Sequence, residues 1–180
     1  MEYTALGDAI NLAARMEQNP EQLDGWLMLG RSYFAVNQPE KALQALEKAY
    51  DLAPENPEVI LAYAQALATN AGGKLAGRPA ELIGKALEIE PGNVTGRWLY
   101  GLITYQSGDY ARSVERWETI LADLDPAGEE AGELRQFIAD ARSRGGMEPL
   151  ETPDAQAPAV STGTASTPAP EAQALYKLLD

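Results

Sequence analysis

Between Asp24 and Pro54 small and apolar residues recur at helical spacing in two runs, separated by the polar stretch Asn37, Gln38, Pro39 and Glu40. Trp26, Leu29, Gly30 and Tyr33 fall three and four apart on one helical face, and Ala42, Leu46 and Ala49 do the same on a second. The spacing predicts two helices folded against each other. Gly30 and Ala42 are small where the helices of this hairpin approach most closely, and Leu46 fills the space between them. Pro54 closes the unit, because proline cannot donate the next helical hydrogen bond and clashes with the preceding turn. The same order returns twice. From about Pro57, Tyr63, Ala64 and Leu67 take the places of Leu29, Gly30 and Tyr33, followed by Ile83, Ala86 and Pro91. From about Val94 to Ala127 the corresponding residues are Tyr100, Gly101 and Thr104, then Ser113, Trp117 and Ile120.

Three helical hairpins of this length and spacing predict an all-α solenoid of tetratricopeptide repeats over residues 23–127. A lead-in helix within residues 1–22, running from about Leu6 to Gln18, and a capping helix over 128–144 are expected to cover its two ends. In the capping helix Leu134, Phe137, Ile138 and Ala141 share one face, while Glu129, Glu130 and Glu133 near its start and Arg142 and Arg144 near its end suit the helix dipole. Pro54 and Pro91 lie 37 positions apart instead of the usual 34, and the excess falls in the turn NAGGKLAGRP, with Pro79 in the first turn of the next helix. In the third repeat Gly108 and Asp109 form the turn and the helix cap. Residues 145–170, rich in proline, alanine, serine and threonine, read as a disordered linker, and 171–180 as a possible short helix with Leu175, Leu178 and Leu179 together.

Composition narrows what these helices do. The 180 residues carry a net charge of -13, which disfavours nucleic acid and anionic membranes and favours a basic or apolar partner. With no cysteine and no histidine, thiolate chemistry, imidazole bases and the commonest metal ligands are excluded, and no cofactor or metal is expected. No apolar run approaches the roughly 20 residues of a membrane span, and no export signal is visible at the N-terminus.

Two stretches carry a hint of nucleotide chemistry. YTALGDAINLAARME looks like the segment of nucleotidyl cyclases whose Asn and Arg stabilise the cyclising phosphate, here Asn11 and Arg15. A cyclase also needs metal-binding carboxylates on separate strands, and nothing downstream reads as a strand. The simpler reading of this segment is an amphipathic helix that caps the first repeat. The glycine-rich turn with Lys74 and Arg78 suggests anion binding, but it lacks P-loop spacing and follows a helix.

In stacked repeats the first helix of each pair lines a concave surface with its second, fifth, ninth and twelfth positions. Those are Asp24, Leu27, Arg31 and Phe34, then Glu58, Leu61, Gln65 and Ala68, then Thr95, Trp98, Leu102 and Tyr105. An apolar stripe edged by Asp24, Arg31 and Glu58 suits an amphipathic helix or short peptide laid in the groove, with Trp98 and Tyr105 as anchors. The alternative for Leu27, Leu61, Trp98 and Leu102 is packing against neighbouring helices. A generic tetratricopeptide scaffold for another protein also fits this pattern.

Over roughly residues 12–143 the order of features resembles the tetratricopeptide domain of bacterial cytochrome c maturation proteins of the CcmI or CycH type, related to NrfG. The segments that carry it are LAARMEQNPEQLDGWLMLGRSYFAVNQPEKA, NAGGKLAGRPAELIGKALEIEPGN and RWLYGLITYQSGDYARSVERWETIL. The resemblance implies a non-catalytic, chaperone-like peptide binder in the periplasm. Its implied partners are the C-terminal helix of an apocytochrome c and the haem-ligation machinery. Family members of this type are usually anchored in the inner membrane, so the chain is expected to be an excised domain or an anchorless relative.

Overall fold

A computed structural model of the chain describes residues 2–148, with side chains from residue 6 onward. Most of the linker expected over 145–170, and the helix expected over 171–180, lie outside the described residues. Among the described residues eight helices follow one another: α1 (Glu2–Gln18), α2 (Leu23–Ala35), α3 (Pro39–Leu52), α4 (Pro57–Asn70), α5 (Arg78–Ile89), α6 (Val94–Gln106), α7 (Tyr110–Leu121) and α8 (Glu129–Arg144). No strand occurs among the described residues. Each helix packs against its neighbours in sequence, so α2/α3, α4/α5 and α6/α7 form three hairpins, with α1 against the first and α8 against the last. This is the tetratricopeptide solenoid. α1 begins at Glu2, four residues before the expected start, because residues 2–5 contain no proline or glycine to stop it.

Local chemistry sets the turns. Asn56 and Asn93 accept hydrogen bonds from the backbone N–H of Glu58 and Gly96, at 3.0 and 2.9 Å, and so start the first helices of repeats two and three. Asp109 caps α7 through Arg112 N. The three-residue turns of repeats one and three each turn on a left-handed residue, Asn37 at φ 54° and Gly108 at φ 83°. The second repeat turns over residues 71–77, where Gly72, Gly73 and Gly77 all have positive φ and Leu75 is completely buried.

Inside the first and third hairpins a glycine on the first helix meets a larger residue on the second. A Cβ placed on Gly30 would lie 2.6 Å from Leu46 Cγ, and one on Gly101 would lie 2.1 Å from Trp117 Nε1. Glycine therefore sets the distance between the helices. The buried residues form two clusters. One joins α1, the first repeat, and Val59 and Ala66 of α4, and is built largely of alanine, leucine and Met16. The other joins repeats two and three to α8 and contains Trp98, Tyr105 and Trp117. Tyr50 and Tyr63, stacked with ring centroids 5.1 Å apart, border both. Burial, together with the neighbouring Glu47, pushes the Tyr63 hydroxyl pKa up.

Candidate functional site

The residues assigned to the concave face fall into two layers. Asp24, Arg31 and Glu58 are exposed. Arg31 Nη2 lies 2.8 Å from Glu58 Oε1, an ion pair that bridges the first helices of repeats one and two. With both side chains more than half exposed, such a pair contributes at most about 1 kcal/mol. Thr95 is half-buried and Ala68 fully buried. Leu27, Phe34, Leu61, Gln65, Trp98, Leu102 and Tyr105 are all buried, with Trp98 at 7% and Tyr105 at 9% exposure. In the free chain the apolar positions are thus buried and the charged ones exposed.

Trp98 and Tyr105, the two candidate anchors, are held from several sides. The Trp98 ring stacks on Trp117 at 5.0 Å and meets Phe137 of α8 edge-on at 4.7 Å. Tyr105 donates its hydroxyl hydrogen to Asp140 of α8, meets Tyr110 edge-on at 5.3 Å and lies under the guanidinium of Arg144. Arg144 in turn donates to Asp140 at 2.9 Å. The capping helix therefore contacts both side chains. Its buried face was legible in the sequence, whereas Phe137 and Asp140 reach groove positions through a contact that no periodicity announces.

A second feature had no sequence signal. The amide of Gln106, the last residue of α6, donates to Gly73 O at 2.8 Å and accepts from Leu75 N at 2.9 Å. This clamp fixes the long turn of repeat two against the third repeat. Arg78, the first residue of α5, is paired with Glu81 at 3.1 Å, while Lys74 of the turn is exposed. Asn11 and Arg15 are exposed on α1, and among the described residues there is no strand to carry the carboxylates a cyclase requires. No group of acidic residues among the described ones is arranged to hold a metal ion. Nor is any helix among them long and apolar enough to cross a membrane.

Residues 6–131 match the family described as cytochrome c-type biogenesis protein H TPR domain. The chain belongs to this family. Cytochrome c-type biogenesis protein CycH of Pseudomonas aeruginosa is 30% identical over 160 residues, which cover 87% of this chain and 39% of that protein. Cytochrome c-type biogenesis protein CcmH of Escherichia coli K12 is 26% identical over 133 residues, covering 74% of this chain and 38% of that protein. The chain thus spans about two-fifths of the length of these relatives. Among solved structures, MamA superposes with a TM-score of 0.64 over 79% of this chain and 80% of its own, at 17% identity, a likeness of fold. The biogenesis family places the three hairpins and the insertion in repeat two within one recurring domain.

Proposed function

We propose that this biogenesis-family domain is a non-catalytic protein-binding module. On this reading it holds the C-terminal helix of an apocytochrome c on the periplasmic side and presents it for haem ligation. Family membership is the observation that carries the reading, because two relatives named for cytochrome c biogenesis match over most of this chain. Two features of the molecule support it. The exposed charges on the first helices include Asp24 and Glu58, in a chain of net charge -13, which suits a basic amphipathic helix. The positions assigned to the same face also carry Leu27 and Phe34 in one buried cluster and Leu61, Trp98, Leu102 and Tyr105 in the other.

Calorimetric titration of the full chain with a synthetic apocytochrome c C-terminal helix tests the proposal. Binding is expected, weakening as salt is raised, and weakening about tenfold in a D24K/E58K double variant that retains the wild-type melting temperature. A wild-type chain that gives no heat with the peptide contradicts the proposal. Unchanged affinity in the double variant removes the charged rim from the site.

A further inference from the structure

The three tryptophans differ in what their indole N–H groups do. Trp26 Nε1 donates to Pro20 O at 2.8 Å, and Trp117 Nε1 donates to Trp98 O at 3.3 Å. Trp98 Nε1 is buried and has no hydrogen-bond partner. The Oε1 atom of Gln65, a side chain only 2% exposed, has none either. A third atom of this kind, Nε of Arg116 on second helix α7, belongs to a guanidinium lying 4.0 Å over the ring of Tyr100, which faces the charge. Gln65 and Trp98 stand elsewhere. Both are on first helices, at the ninth position of repeat two and the fifth of repeat three, among the residues assigned to the concave face.

Buried donors and acceptors are almost always paired, because losing water without replacement destabilises the fold. Here one uncharged donor and one uncharged acceptor are left open in apolar surroundings. Their complement is the amide group, which offers a carbonyl to the indole and an N–H to the carboxamide oxygen at no cost in charge burial. We propose that a bound peptide supplies both missing partners, an amide carbonyl accepting from Trp98 Nε1 and an amide N–H donating to Gln65 Oε1. Gln65 and Trp98 then select a helix that brings amide groups to the groove over one with an unbroken hydrocarbon face. The inference rests on the peptide-holding reading above. Since both atoms are closed off in the free chain, binding turns the Trp98 indole out of its stack on Trp117 and Phe137.

The test uses the full chain, the apocytochrome c C-terminal peptide, and a second peptide in which every asparagine and glutamine is replaced by methionine. Gln65→Leu removes the orphaned oxygen at similar bulk, and Trp98→Phe removes the N–H while keeping an aromatic ring. Gln65→Leu is expected to melt no lower than wild type yet bind the first peptide at least fivefold more weakly, and Trp98→Phe to show a comparable loss of affinity. If the loss persists with the methionine peptide, the amide read is main-chain; if it disappears, the amide is a side-chain carboxamide. Wild-type affinity in both variants overturns the inference and leaves the peptide-holding reading standing. A Gln65→Leu chain that melts lower and binds weaker in proportion also overturns it, since the carboxamide would then serve the fold. Should the wild-type chain bind neither peptide, both proposals fall together.

Discussion

Gly30 faces Leu46 in the first hairpin, and Gly101 faces Trp117 at the same two positions in the third. The skeleton is one pattern with two fillings. Leu46 belongs to the cluster of alanine, leucine and Met16 with Tyr33 and Phe34, and its branched side chain has other staggered rotamers. Trp117 is rigid, fully buried, surrounded by the rings of Trp98, Tyr105 and Phe137, and tied by its N–H to Trp98 O. In the free chain the third hairpin is thus held by more aromatic contacts than the first. The third is also where the candidate anchors Trp98 and Tyr105 sit, so these contacts bear on the site.

The largest expected break in this comparison is Trp117→Ala, which removes the shared neighbour of the aromatic cluster and is expected to cost about 3–5 kcal/mol in urea unfolding. A loss no larger than that of an exposed substitution would show that the cluster is not the centre of the C-terminal half. Next come the two glycines taken as a pair. Gly101→Ala is expected to destabilise by about 1–3 kcal/mol, because the new methyl meets an indole with nowhere to go. Gly30→Ala is expected to cost less, about 1 kcal/mol, since Leu46 can rotate aside and alanine favours the helix. Equal effects at the two sites would erase the distinction between the hairpins. The smallest effect belongs to the long turn. Gln106→Ala leaves Leu75 N and Gly73 O without their clamp, with an expected loss of about 1 kcal/mol and faster amide exchange confined to residues 71–77.

The helices were legible in the sequence because each depends on local chemistry. Helical spacing placed Trp26, Leu29 and Tyr33 on one face, Pro57 and Pro79 fell in first turns, and Gly108 marked a turn that needs positive φ. The insertion in repeat two was legible for the same reason, since a run of glycines cannot continue a helix. Depth of burial was not. The fifth and twelfth positions of a first helix can line a groove or lie beneath it, and which occurs at Trp98 and Tyr105 depends on Phe137 and Asp140, more than thirty residues away. The Gln106 clamp was equally silent, because a side-chain amide bonded to backbone 31 and 33 residues distant leaves no periodic trace. The unpaired atoms of Gln65 and Trp98 emerge only from a complete accounting of buried polar groups.

Hydrogen–deuterium exchange of the full chain, with and without the apocytochrome c C-terminal peptide, tests the central claim most directly. Added protection is expected in α2, α4 and α6, whose faces carry Arg31, Glu58, Gln65 and Trp98, little change in α3 and α5, and altered exchange in α7 and α8 where the Trp98 ring leaves Trp117 and Phe137. Protection confined to the second helices, or none on adding saturating peptide, would contradict it.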